Sequence, residues 1–368
     1  MRSPSPVVAA ANALPACHLR WLALGAIALG CSTQGADHEA SETATAELGT
    51  GTGPIAGTPL PVEWPLNGSP DCRNHVNGEP SLFTFKYDAN TWIIRENKCL
   101  NFEANFIFVL FGRDKVLVQD TGSIPSDWTG AAGQAKFKQA FPLRDTVESL
   151  ITDWLAAHPA KDGTPRTRES VELLVTHSHS HGDHVGGDYQ FKGPDGQPFP
   201  HTRIAGLRPS DVAAFFGITS WPTKPATFDL GERKLEVMGI PGHEASHVAI
   251  YDHGAQLLLS GDSLYPGHLF VRDWTQYRAS VSRLAAWMHE TDSTGALVRP
   301  TVYVLGTHIE KKPAARQFYP YPSWIQNPER KLELFSSDLD YLAAQTEALG
   351  ATSPHREIAF DEFAIDAQ

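Results

Sequence analysis

The stretch Val175-Thr176-His177-Ser178-His179-Ser180-His181-Gly182-Asp183-His184-Val185-Gly186-Gly187 (VTHSHSHGDHVGG, residues 175–187) decides how the rest of the chain is read. Three histidines precede the aspartate, so a register must be chosen. The spacing His-x-His-x-Asp-His is met by His179, His181, Asp183 and His184. Starting at His177 would require an aspartate at position 181, which is His181. His177 is therefore read as a neighbour of the site and not as a ligand. The run just before it, residues 171–176 (VELLVT), has the length and composition of a short buried strand. In an extended segment alternate side chains share one side, so His179 and His181 can approach one cation. The chain then turns at Gly182, and Asp183 and His184 open a helix directed toward a second cation. Imidazole combined with carboxylate suits Zn²⁺, Fe or Mn and not Ca²⁺. Taken alone, such a loop is also compatible with a His-rich surface segment that binds metal incidentally.

Three later fragments bear on that choice. Pro241-Gly242-His243 follows an expected strand at 234–238. Ser260-Gly261-Asp262 ends an expected strand at 256–260, and Gly306-Thr307-His308 follows one at 301–305. Each ligand-type residue comes after a strand and a glycine, the pattern expected when strand ends converge on one edge. Further strands are read at 81–85, 91–95, 102–111, 115–119 and 248–251, with Gly112-Arg113-Asp114 as a turn. Val147, Leu150, Ile151, Trp154 and Leu155 recur at helical spacing and predict a helix from about Asp145 to His158. Further helices are expected at 210–216, with Ser210 as N-cap, at 280–289 and at 329–349. Early strands followed by strands alternating with helices imply an α/β protein, an αββα sandwich spanning residues 63–368.

Composition narrows the partners. The chain has 368 residues, 41% of them hydrophobic, and a net charge of −12. An acidic surface without a Lys/Arg cluster argues against nucleic-acid binding. No apolar run reaches the ~20 residues that a membrane-spanning helix needs. Arg2, His18 and Arg20 precede an apolar run at residues 21–30 (WLALGAIALG), which reads as an export signal over residues 1–31. Cys31 follows Gly30 directly and resembles the lipidated cysteine of bacterial lipoproteins, with Ala28 where a leucine is usual. Any membrane attachment is expected only through that cysteine, so the chain is read as periplasmic or membrane-anchored. Residues 32–62 read as a flexible tether. Cys72 and Cys99 are then left as a pair. In an oxidising compartment they could form a disulfide worth ~3 kcal/mol on the chain-entropy model; otherwise they are two small apolar side chains.

The assembled set resembles the metallo-β-lactamase superfamily over roughly residues 80–310. Residues 115–122 (KVLVQDTG), ending in Asp120-Thr121-Gly122, are similar to its opening strands and turn. The resemblance implies that His179, His181 and His243 hold a first metal. It implies that Asp183, His184 and His308 hold a second, with Asp262 bridging the two. Members that are true β-lactamases usually carry Cys or Ser where Asp262 stands, whereas glyoxalase II, lactonases, phosphodiesterases and RNA-processing members carry Asp. Flavo-diiron redox members show Glu where this chain has His181. Tyr265 occupies the position of a substrate-facing tyrosine in acyl-homoserine lactone lactonases, and a core aromatic in many other members.

From this follows an expected activity. Two cations, most simply Zn²⁺, lower the pKa of a shared water toward neutrality and provide hydroxide as nucleophile. Asp183 would orient that nucleophile and pass its proton to the leaving group, and Tyr265 would donate a hydrogen bond to a reacting oxygen. The expected substrate is a small ester, thioester or lactone. A phosphodiester or a β-lactam is the alternative, and a non-haem iron sulfur dioxygenase is the alternative from another class. His247 reads as structural. His268, Arg272 and Arg278 could meet a substrate anion or be solvated charge. Residues 318–324 (FYPYPSW) could wall a pocket mouth or pack against the C-terminal helix.

Overall fold

The computed structural model describes residues 58–72 and 75–368. The expected export signal, Cys31 and the tether through residue 57 lie outside the described residues.

Six strands form the first sheet in chain order: β1 (Leu82–Asp88), β2 (Thr91–Glu96), β3 (Phe106–Phe111), β4 (Lys115–Gln119), β5 (Glu172–Thr176) and β6 (Thr202–Ile204). The connection from β4 to its parallel neighbour β5 contains α1 (Gly130–Ala140) and α2 (Leu143–Ala157), as a parallel crossover requires. The short α3 (Gly182–Val185) follows β5, and α4 (Pro209–Phe216) follows β6. The second sheet contains β7 (Ala226–Asp229), β8 (Lys234–Gly239), β9 (Val248–Asp252), β10 (Leu257–Gly261) and a last strand. Next come β11 (His268–Val271), α5 (Trp274–Met288) and β12 (Tyr303–Gly306), and the second sheet runs β12-β10-β9-β8-β7. Finally α6 (Ser336–Ala348) precedes β13 (Glu357–Ala359) and β14 (Ala364–Ala367), which form a third small sheet in the order β11-β14-β13.

Strand periodicity explains the layering. Every residue of β3, FIFVLF, is buried, because both of its faces meet apolar layers. Phe106, Phe108 and Leu110 face the second sheet, where they share a core with Leu235, Val237, Val248, Ile250, Leu257 and Leu259. The alternate residues Ile107, Val109 and Phe111 pack with Phe137, Phe141, Val147 and Ile151 of α1 and α2. On the far side, Ala249, Tyr251, Leu258 and Val304 pack with Tyr277, Val281 and Leu284 of α5 and Leu339 and Leu342 of α6. Helix, sheet, sheet and helix are therefore stacked as an αββα sandwich. Leu60 already belongs to the inter-sheet core, three residues before Glu63.

Several boundaries differ from expectation. Helix α1 was not expected; its GAAGQAKFKQA sequence carries only Gly133 and Phe137 to the buried side, too few for a periodic signal. Helix α4 begins at Pro209 after an Arg208 N-cap, so Ser210 lies inside the first turn and not at the cap. Proline suits that first position because its φ is preset and its missing N–H is not needed there. Helix α5 starts at Trp274, where the Asp273 side chain accepts from the Gln276 backbone N–H at 2.9 Å. Residues 329–335 are irregular instead of helical, with Val304 and Leu334 exchanging backbone hydrogen bonds. Cys72 and Cys99 are joined as a disulfide.

Candidate metal centre

The C-terminal ends of β4 and β5 in one sheet, and of β8, β10 and β12 in the other, carry the ligand-type residues. β8 and β10 both run antiparallel to β9, and β10 is parallel to β12, so these three ends point the same way. Two glycines make the close approaches possible. Gly242 has φ +143°, and a Cβ there would lie 2.3 Å from the Tyr277 backbone of α5. Gly261 has φ +52°, and a Cβ would lie 2.3 Å from the His247 ring. Both positive φ values favour glycine and the close contacts leave no room for a Cβ, and each glycine sets the residue that follows, His243 and Asp262.

The structure brings all seven sequence-predicted ligands together as two adjoining groups, His179, His181 and His243, and Asp183, His184, Asp262 and His308. In the first group, His179 Nε2 lies 2.9 Å from His181 Nδ1, and His243 Nε2 lies 3.1 Å and 3.0 Å from those two atoms. His243 Nδ1 donates to the Phe270 carbonyl at 2.6 Å, so its Nε2 presents a lone pair to the group. Three ring nitrogens this close repel one another unless a proton or cation sits among them. Tetrahedral zinc with bonds of about 2.0–2.1 Å separates its nitrogen ligands by about 3.3 Å, close to the observed spacing.

The second group is built the same way. His308 Nδ1 donates to the Glu103 carbonyl at 3.0 Å, leaving Nε2 3.4 Å from Asp183 Oδ2 and 3.4 Å from Asp262 Oδ1. His184 Nε2 is buried without a hydrogen-bond partner and lies 2.9 Å from Asp183 Oδ2 and 3.3 Å from Asp262 Oδ2. Asp262 Oδ2 also lies 3.5 Å from His243 Nε2, so this one carboxylate reaches both groups. Thr307 Oγ1 donates to its Oδ1. The donor set, the aimed lone pairs and the orphaned His184 nitrogen fit a pair of divalent cations.

Charge is divided between the two groups. Burial and the neighbouring rings hold His179 well below the usual imidazole range and lower His181 to about 4. Burial raises the Asp262 carboxyl, but His308 and His184 outweigh it and hold the group well below its ordinary value. The first group is thus a set of neutral nitrogen donors, and the second pairs donors with fixed negative charge.

Residues the sequence left without a role orient these donors. Asp120 is buried with φ +73°, an uncommon conformation for a side-chain-bearing residue and one that concentrates at functional sites. Its Oδ1 accepts from the Ser178 backbone N–H at 2.7 Å and from Ser178 Oγ at 3.1 Å. Its Oδ2 lies 3.1 Å from His184 Nδ1, which favours the proton on Nδ1 and frees Nε2. Outer partners of this type usually contribute 10–100-fold in metal affinity. Asp120→Asn is therefore expected to weaken metal retention by about 10–100-fold in a competition titration with a chromophoric chelator. Unchanged affinity would remove the assignment.

A cavity of about 380 Å³ opens above the centre, lined by Asp183, Asp262, His308, Tyr265, Glu103 and Tyr321 among others. Burial raises the Glu103 carboxyl to about 7; no sequence signal marked this residue, which comes from a loop more than two hundred positions before His308. Tyr265 reaches the cavity, but its hydroxyl donates to the His268 carbonyl and lies 3.0 Å from Glu310 Oε2. Its proton is engaged inside the protein, while its ring packs 5.5 Å from that of His308. His177 bonds Asp188 at 2.8 Å and stands outside both groups. His247 packs beneath them, with Nδ1 3.1 Å from Ser263 Oγ. His268 is tied to Glu357 and the Tyr319 carbonyl, and Arg278 to Glu347 and the Thr346 carbonyl. Arg272 lines the cavity.

Residues 173–308 match the family described as "Metallo-beta-lactamase superfamily". A hydroxyacylglutathione hydrolase of Aeromonas hydrophila is 36% identical over 152 residues, covering 40% of this chain and 56% of the relative. One from Ectopseudomonas mendocina is 34% identical over 147 residues, covering 37% and 48%. The chain thus spans about half the length of the curated relatives it matches. Among solved structures, a metallo-beta-lactamase from Pontibacter korlensis aligns with a TM-score of 0.39 and 16% identity, covering 72% of this chain and 99% of that one. The family match runs from the strand before the histidine loop to His308, so the stretch of this chain that is similar to the metallo-β-lactamase superfamily takes in every one of the converging ligand-type residues.

Proposed function

We propose that this chain is a hydrolase that holds two divalent cations, zinc in the first instance, and cleaves a small ester, thioester or lactone. The observation that carries the reading is the position of Asp262, one carboxylate in reach of both ligand groups at the floor of a single cavity. His179, His181 and His243 would hold one cation. Asp183, His184 and His308 would hold the other, with Asp262 shared. When bound, the cations supply Lewis-acid polarisation and water activation at neutral pH. Asp183 borders the cavity and has one oxygen between His184 and His308, which leaves its other oxygen to take a proton from a nucleophilic water and return it to a leaving group. Tyr265, with its hydroxyl committed, positions His308 through its ring.

The hydroxyacylglutathione hydrolase names of the relatives support thioester among the substrate classes, and the Asp at position 262 weighs against a β-lactam. The Cys72–Cys99 disulfide supports an oxidising compartment, in line with export. A panel of lactones, thioesters, phosphodiesters and β-lactams, turned over by metal-analysed protein, tests the reading. Hydrolysis of an ester-like member is expected, with Asp183→Asn slower by about 10²–10⁴-fold, the usual contribution of a positioned proton carrier. Turnover of phosphodiesters or β-lactams alone would overturn the substrate class. A single iron with oxygen consumption and no hydrolysis would overturn the reaction type.

A further inference from the structure

Three of the exposed large apolar side chains fall within five consecutive positions: Tyr321, Trp324 and Ile325, at 49%, 38% and 42% exposure. Clustered exposed aromatics usually mark a binding surface. These rings join a row that starts in the reaction cavity. Phe270 and Tyr321 line the cavity and have centroids 5.1 Å apart. Tyr321 meets Phe102 at 5.4 Å, and Phe102 meets Trp324 at 5.5 Å. The Trp324 end borders a second hollow of about 330 Å³ beside Cys72, His75 and Cys99.

The row is held in place without a ligand. Tyr321 Oη donates to Glu103 Oε1 at 2.8 Å. The backbone at Trp324 lies against Gly68, where a Cβ would come within 2.0 Å of the Trp324 carbonyl oxygen. The Gln326 N–H donates to the Asn67 carbonyl at 2.9 Å. The His75 ring packs on Trp324 at 5.8 Å, and its Nδ1 pairs with the Leu100 carbonyl at 2.8 Å, next to the disulfide at Cys99. A platform already ordered loses little entropy when a ligand lies on it. The hydroxyl of Tyr321 and the ring nitrogens of His75 are engaged within the protein, so these members of the row offer mainly apolar surface.

We propose that Phe270, Tyr321, Phe102 and Trp324 form a subsite for an extended acyl chain whose carbonyl sits over the metal centre. This rests on the ester, thioester or lactone reading and names the substrate within it: a molecule with a long aliphatic acyl group. The occupant follows from continuity, because a chain attached to a carbonyl on the cavity floor has this row as its exit along Phe270 and Tyr321.

The test compares acetyl and octanoyl esters of one alcohol, using metal-loaded full-length protein and its Trp324→Ala, Phe102→Ala and Trp324→Phe variants. Calorimetric titrations with octanoate and with maltotriose accompany it. The octanoyl-to-acetyl ratio of kcat/KM is expected to fall about tenfold in each alanine variant, the effect of losing one well-packed aromatic anchor. Trp324→Phe should restore most of it. Octanoate should bind the unaltered protein and lose about tenfold in affinity in Trp324→Ala. A ratio that does not move, or maltotriose binding in place of octanoate, would overturn the acyl subsite. If no ester is turned over, the hydrolase reading fails, and the octanoate titration still decides this one: Trp324-dependent binding upholds the subsite and its absence rejects it.

Discussion

Replacing Asp262 by Ala is expected to release at least one cation and to lower kcat/KM by about 10³-fold or more, because Lewis-acid stabilisation of developing charge contributes several kcal/mol. The reason lies in what this carboxylate separates. Its oxygens stand 3.3 Å from His184 Nε2, 3.5 Å from His243 Nε2 and 3.4 Å from His308 Nε2. Two divalent cations in adjoining sites repel strongly at low dielectric, and Asp262 is the anion within reach of both groups. Asp262→Asn keeps the shape and the acceptor for Thr307 but removes the charge. A similar loss in Asn and Ala would assign the effect to charge, whereas a loss in Ala alone would assign it to packing. Metal content by elemental analysis and kinetics on the same preparations give the readout. Full metal content with full activity in Asp262→Ala would show the carboxylate to be a bystander.

Stripping the metal with a chelator should lower the melting temperature by on the order of 5–10 °C, since a ligand held at a thousand times its Kd stabilises the native state by about 4 kcal/mol. The sign follows from which state holds the ligands together. In the folded chain three ring nitrogens lie within 3.1 Å of one another and His184 Nε2 is buried without a partner. In the unfolded chain they are dispersed along more than a hundred residues, so cations favour the folded form and their removal leaves mutual repulsion behind. Calorimetric scans before chelation, after it, and after re-addition of Zn²⁺ measure the effect. A transition indifferent to the chelator would mean that the cluster is satisfied without metal.

The sandwich was readable in the sequence where burial is symmetrical and spacing strict. β4, β5 and β8 to β10 lie within a residue or two of their expected positions, because each is a short apolar run bounded by turn residues. Where a strand feeds a ligand through a glycine, as at Gly242-His243 and Gly261-Asp262, the local pattern itself pointed to the convergence. What stayed hidden depends on pairing distant in sequence. β14 gains strand character by pairing with β11, and β13 by pairing with β14, and Glu103 meets His308 through a backbone carbonyl, which no side-chain pattern encodes. Asp120 was visible as part of a turn, but its role facing His184 requires two strand ends side by side. Tyr265 was expected to offer its hydroxyl to substrate, yet a buried acceptor, the His268 carbonyl, takes that proton.

Anomalous diffraction at the zinc edge, on crystals of zinc-loaded protein, tests the central claim most directly. Two peaks are expected, one about 2.0–2.1 Å from nitrogens of His179, His181 and His243, the other at similar range from His184, His308 and Asp183, with an Asp262 oxygen near each. A single peak elsewhere, or density in neither group, would contradict it.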